Sequence, residues 1–205
     1  DNLDDSWIGF CQYRKFWTQT KVNNEIKTFA DLDNKIIKKI PDDMNDYESI
    51  IGDPFYVNQF RFSKFIKRNF KKMIFNPSLL FDSRKRTIKF HFDMWHGDGN
   101  IDKALNLLSN EDKKDFKTFI ETQTYFNPHN MFICRPKILL KYYETVFPWL
   151  EKCEKEFGFN ELKGFGLKRI YGFLAERFLS YWFKKYTKYK TLPILFQDIS
   201  DLKLD

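Results

Sequence analysis

Short apolar runs, each too brief for a buried helix, alternate along this chain with longer segments of helical periodicity, and that alternation admits few architectures. The run Ser6-Trp7-Ile8-Gly9-Phe10-Cys11 has the β-branched and aromatic character of a buried strand, as do Asn130–Cys134 and Leu192–Phe196. Tyr47–Val57 predicts a strand, a Gly52-Asp53-Pro54 turn and a second extended piece. Thr87–Phe92 alternates, with Ile88, Phe90 and Phe92 on one face and Lys89 and His91 on the other, which predicts another strand. Between them the spacing predicts helices over Leu32–Lys39 (stopped by Pro41), Gln59–Ile74, Ile101–Leu108, and a further one after Ser109, whose spacing to Asp112 resembles a capping signal. Pro136 suits the first position of a helix reaching Phe157, kinked or split by Pro148, and Ile170–Lys185 closes the set. The expectation is an α/β chain with a mixed sheet flanked by helices, residues 1–205 forming a single domain.

With 205 residues, 42% apolar and 31% charged, the composition is globular, and no apolar run is long enough to span a bilayer. The chain opens on Asp1-Asn2-Leu3-Asp4-Asp5, which is neither an initiator Met nor a secretory leader. Cys11, Cys134 and Cys153 are odd in number, widely spaced and without CxxC, which points to core thiols in a reducing compartment. Aromatics reach 19%, a level that serves cores, sugar-stacking platforms or interfacial belts alike. The net charge of +7 is local: ten basic residues lie between Arg61 and Lys89 against one acid, Asp82. In the helix expected over residues 59–74, Phe62, Phe65, Ile66, Phe70, Met73 and Ile74 form an apolar stripe with Lys and Arg around the rest. Such a helix suits an anionic membrane surface, or a core helix with a solvated face; no nucleic acid partner is expected, since no reading motif accompanies the charge.

Several polar groups stand where a site would form. Gln12, Tyr13, Arg14 and Lys15 follow the first strand, and open α/β sheets bind ligands beyond the carboxyl ends of their strands. Arg14 and Lys15 are candidates for phosphate, with surface charge as the alternative. His91-x-Asp93-x-x-His96-x-Asp98 reads either as a weak metal set (His91, Asp93, His96) or as direct hydrogen bonding of sugar or phosphate by Asp93, His96 and Asp98. Asn127, His129 and Asn130 precede a strand and are candidates for an acceptor side or for turn formation. Glu176, among Phe173, Leu174, Phe178 and Leu179, is a partly desolvated carboxylate fit to be a general base, or half of an ion pair with Arg169 or Arg14.

Three blocks carry a resemblance: Ile8-Gly9-Phe10-Cys11-Gln12-Tyr13-Arg14-Lys15-Phe16, Asn130-Met131-Phe132-Ile133, and the helical Arg169-x-x-Gly172-Phe173-x-x-Glu176-Arg177. In this order, with His91–Asn100 between them, they resemble a bacterial glycosyltransferase-like family of undefined function linked to capsular and exopolysaccharide synthesis, in which His usually stands at the position of Gln12. The family is similar to GT-A transferases and carries a stretch before the first strand, which implies a GT-A-like fold lacking its N-terminal βαβ part. The resemblance further implies a nucleotide-sugar donor and a saccharide or lipid-linked saccharide acceptor, at the cytoplasmic side of the membrane. It implies Arg14, Lys15 and Arg169 at the donor phosphates and Glu176 or Asp93 as base. A divalent metal is left open: no Asp-x-Asp follows Phe10, and Asp31-Leu32-Asp33 lacks a preceding strand. The whole chemistry expects Arg14 and Glu176 to face one cleft. The alternatives are a metal-dependent hydrolase using His91–Asp98 and a non-catalytic carbohydrate-binding or membrane-docking module.

Overall fold

A computed structural model describes residues 6–59, 74, 77–160 and 162–203. The basic helix expected over Gln59–Ile74 falls on residues 60–73, outside the described residues. The chain forms two compact units: Asp1–Asp53, Asn127–Tyr142 and Trp182–Asp205 make the first, Pro54–Phe126 and Tyr143–Tyr181 the second.

The first unit holds the mixed sheet. Strands β1 (Ile8–Gly9), β3 (Ser49–Gly52), β6 (Phe132–Cys134) and β7 (Tyr189–Leu192) are ordered β1-β6-β3-β7. Pairing is antiparallel except between β3 and β7, which run parallel. A second, two-stranded sheet pairs β2 (Lys15–Trp17) with β8 (Ile194–Phe196). Ser49–Gly52 is buried throughout, as expected of an interior strand. Ile50, Ile133, Met131, Met44, Trp17 and Leu192 form the core of this unit. The helix expected at 32–39 is shorter and earlier: α1 (Phe29–Asp33) starts on a capping box in which Thr28 Oγ1 accepts from Asp31 N–H and Asp31 accepts from the Thr28 amide. That cap gives the Asp31-Leu32-Asp33 spacing a local structural explanation.

The second unit is mainly helical: α2 (Ser78–Phe81), α3 (Ile88–His96), α4 (Asn100–Asn106), α5 (Asn110–Thr122) and α7 (Phe165–Lys168), with one small ribbon of β4 (Phe55–Tyr56) and β5 (Tyr125–Phe126). Helices α6 (Pro136–Phe157) and α8 (Ile170–Tyr186) contribute to both units, and α6 runs unbroken through Pro148. Phe116, Trp149 and Phe178 pack edge and face in its core, and the Trp149 indole donates to Ala104 O at 2.7 Å. Ser109 takes the N-cap position of α5 without a side-chain cap bond; Asp112 is buried instead and accepts from Tyr181 Oη at 2.7 Å.

The stretch expected to be a strand at Thr87–Phe92 is the start of α3. Ile88, Phe92 and His96 are the buried residues, at i, i+4 and i+8, so the 3.6-residue period prevails over the alternation of Ile88, Phe90 and Phe92. Thr87 caps it by accepting from Phe90 N–H at 3.3 Å, and Gly97, at φ 94°, ends it.

Candidate functional site

In the first unit, the residues after β1 form a tight turn. Lys15 N–H returns to Gln12 O at 3.0 Å, and Arg14 between them sits at φ 64°. The loop entering β6 holds His129 at φ 85° and Asn130 at φ 50°. These three are the non-glycine residues with positive φ among the described residues, and such conformations for side-chain-bearing residues persist where the surroundings enforce them. Here the two segments enforce each other. Lys15 Nζ donates to Gln12 Oε1 at 2.7 Å and to His129 Nδ1 at 3.0 Å, while the Gln12 amide donates to His129 O. Accepting at Nδ1 fixes His129 as the neutral Nε2–H tautomer. Asn127 is buried, its amide donating to Gly52 O, which ties the same loop to β3.

Arg14 points its guanidinium at Asp198, stacked between the rings of Tyr13 (4.7 Å) and Phe196 (5.8 Å). Ser200 and Arg14 together hold the Asp198 carboxyl below the usual carboxylate range. Asp198 is a participant that sequence reasoning missed; its one signal is the Asp198-x-Ser200 turn. Cys11, expected in the core, is exposed beside this turn, whereas Cys134 and Cys153 are buried and burial pushes both thiols up to about 12.

The second unit gathers the α8 motif around a buried arginine. Arg177 is 2% exposed, lies over the Phe126 ring at 3.9 Å, and pairs with Glu176. Its other terminal nitrogen donates to His91 Nδ1 at 3.3 Å, and among the described residues its Nε meets no hydrogen-bond partner. The expected ion pair of Glu176 with Arg169 or Arg14 is thus corrected to one with Arg177. Burial with Arg177 alongside pushes the His91 imidazole down to about 2. His96, 5% exposed, is stacked on Phe173 at 4.0 Å, and donates from Nδ1 to Gly166 O at 3.1 Å. Burial, then Arg177, lowers it to about 4. Arg169 is exposed, its guanidinium over Phe165 and Phe173. The buried position of Arg177 was legible in its spacing, seven residues from Ile170 and three from Leu174 on the apolar face of α8.

Asp93 accepts from Lys89 Nζ at 3.0 Å and from Gly99 N–H at 3.2 Å, Lys89 bridging on to Asp102; burial holds the Asp93 carboxyl above its ordinary range. Asp98 is exposed in the turn after α3. The expected meeting of His91, Asp93 and His96 depended on a strand. On a helix, His91 and Asp93 stand roughly 200° apart, and Nδ1 of each histidine is already engaged. Among the described residues no three His, Cys, Asp or Glu side chains group as a metal site.

The structure therefore joins Gln12, Lys15 and His129, and separately Glu176, Arg177 and His91. Arg14 belongs to the first unit and Glu176 to the second.

The fold is similar to part of a solved structure. The chain is similar to WbbM, a bifunctional glycosyltransferase solved in its apo form, with a TM-score of 0.63 and 19% identity over 93% of this chain. The match covers 33% of the WbbM chain. A search of curated proteins found no match. The profile of a family described as a domain of unknown function, DUF4422, matches residues 1–188, and the chain belongs to that family.

Proposed function

We propose that this chain is a GT-A-like glycosyltransferase domain that moves a sugar from a nucleotide-sugar donor to a saccharide, or lipid-linked saccharide, acceptor in bacterial surface-polysaccharide synthesis. The observation that carries the reading is the Lys15–Gln12–His129 network, built on enforced backbone at Arg14, His129 and Asn130 in a chain of glycosyltransferase fold.

Glycosyl transfer from a nucleotide leaves a diphosphate, and fixed cations facing it lower the barrier by meeting charge as it develops. Lys15 is oriented by two acceptors, so little reorganisation accompanies that step. Arg14 and Tyr13 flank it, and Arg169 is a further phosphate cation. The acceptor hydroxyl loses its proton to a carboxylate, Glu176 or Asp93. Glu176 is held by Arg177, and burial weakens the acidity of Asp93, which favours its taking up a proton. Asp98, His129 and Asn130 are the sugar-facing polar groups of this reading; Asn127, buried on Gly52 O, holds their loop, and His96, buried under Phe173, supports α3 from within. In this reading residues 1–205 act as one domain, at the cytoplasmic face and in contact with anionic lipid through residues 59–74. Among the described residues no helix is long and apolar enough to cross a membrane.

The test is a thermal-shift panel of nucleotide sugars, with and without manganese, followed by donor turnover with saccharide acceptors. A melting shift with one donor class and loss of turnover in Lys15→Ala are the expected results. Silence across the whole panel removes the transferase reading.

A further inference from the structure

Beside the Lys15 turn the first unit contains a cleft of about 330 Å³. Trp7, Phe10, Phe16 and Trp17 line it together with four isoleucines. The rest of its lining is Gly9, Cys11 and the three lysines Lys15, Lys38 and Lys39. Among the described residues, then, no hydroxyl, carboxamide or carboxylate side chain belongs to the lining. Trp7, Phe10, Phe16, Ile36, Ile37 and Ile40 are only half-buried, so apolar surface is left in water that an apolar ligand would cover.

The main chain around the cleft is used within the fold. Phe10 N–H donates to Phe132 O at 2.8 Å, and Phe10 O accepts from the Trp17 indole at 3.1 Å. Trp17 O accepts from Ile37 N–H at 2.9 Å, and Ile36 N–H donates to Leu32 O at 3.1 Å. Phe16 and Trp17 lie in β2, which is paired with β8. A ligand with a polar rim, such as a sugar or a nucleobase, trades its water for partners that these groups do not offer, which is costly. A hydrocarbon asks for none.

The lysines fix the other end of the ligand. Lys15 is engaged by Gln12 and His129, and Lys38 is paired with Asp33. Lys39 is exposed, and no acidic side chain lines the cleft beside it. Apolar walls with ammonium groups at hand suit an anionic amphiphile. Size then selects one chain. An apolar cavity of about 150 Å³ takes benzene, so 330 Å³ admits about twelve carbons, too few for the paired tails of a membrane phospholipid. We infer that this cleft receives the first hydrocarbon units of a single-chain lipid phosphate, the lipid end of a lipid-linked saccharide acceptor, with its phosphates toward Lys38 and Lys39. The inference deepens the acceptor reading above and rests on it.

Cys11 lines the cleft and is exposed, while the other two cysteines are buried with raised thiols, so a maleimide reports on this site in the full chain. The experiment follows N-ethylmaleimide modification of Cys11 by intact mass, with geranyl diphosphate as the probe. At about ten times its Kd, geranyl diphosphate is expected to slow modification about tenfold. Inorganic pyrophosphate, geranylamine and phosphatidylglycerol vesicles at matched concentration are expected to leave the rate unchanged. Lys39→Glu, at an exposed position, is expected to weaken the calorimetric Kd of geranyl diphosphate about tenfold while the melting temperature stays in place. Equal protection by pyrophosphate overturns the inference, because the apolar walls then contribute nothing. Equal protection by geranylamine overturns it because the lysines contribute nothing, and equal protection by the vesicles makes the cleft a membrane contact instead. No protection by geranyl diphosphate overturns it as well, and a melting shift with a nucleotide sugar in the same preparation leaves the transferase reading standing. Silence across the nucleotide-sugar panel removes that reading and the acceptor assignment with it, whatever Cys11 reports.

Discussion

Lys15 is held by an amide oxygen and an imidazole nitrogen, so its ammonium is aimed as well as charged. Removing it is expected to cost about 100-fold in kcat, in the range for one preorganised group facing developing charge, with little change in stability; steady-state kinetics beside a urea melt check both. His129→Ala leaves Lys15 charged but loosely oriented, so a smaller kcat loss is expected than for Lys15→Ala. Arg177 acts on a different scale. Taking one partner from a buried ion pair leaves the other charge uncompensated, so Arg177→Met is expected to destabilise by about 3–5 kcal/mol in denaturant unfolding. His91 and His96 set the acid limit. His91 and His96 have folded values near 2 and 4, below the ordinary 6.5, so between those values and 6.5 the unfolded chain binds more protons than the folded one. Stability is then full above about pH 6.5 and falls as pH drops, by roughly 2 kcal/mol per histidine at pH 5. Urea unfolding at pH 7 and pH 5 measures the sum, and the slope should flatten in His96→Gln.

Helix α8 contains an expense that packing does not explain. Gly172 is interior to the helix, exposed, and a Cβ built there meets no heavy atom within 4 Å. Glycine at such a position costs about 1 kcal/mol relative to alanine. Gly172→Ala is expected to raise the melting temperature; if turnover falls at the same time, the open space one turn before Glu176 is used by substrate. Gly166 is the opposite case, since a Cβ there would stand 2.2 Å from Trp95 O, so Gly166→Ala must push α7 away from α3 and break the His96 contact. These elements were unequally legible. The bounds of α6 and α8 follow from Pro136 at a first helical turn and from an unbroken apolar stripe. β1 and β6 follow from length alone. α3 did not, because Ile88, Phe90 and Phe92 satisfy a period of two while the decisive signals, Thr87 as cap and Ile88–Phe92–His96, satisfy a period of 3.6. β7 was missed because Tyr189-Lys190-Thr191 is polar at an edge. In the candidate site, Gln12, Lys15 and His129 were legible individually from strand-end placement, but not as a network. Asp198 showed only its local turn with Ser200; its pairing with Arg14, spanning 184 residues, leaves no pattern in the sequence.

At the scale of the molecule, the sheet is assembled from distant parts of the chain. β7 pairs in parallel with β3 over four residues, β8 pairs with β2, and Asp198 meets Arg14. All three lie after residue 188, where the family match ends. A protein shortened to the matched region would leave β3 as a bare edge carrying Ile50 and Ile51, with the Arg14 guanidinium facing no carboxylate. Such an edge invites pairing between copies, so light scattering of the shortened protein is expected to show aggregates that the full chain lacks. Homology-guided trimming would thus discard the clamp that steadies the Arg14 turn, and an inert fragment would speak about the missing tail instead of the Lys15 network.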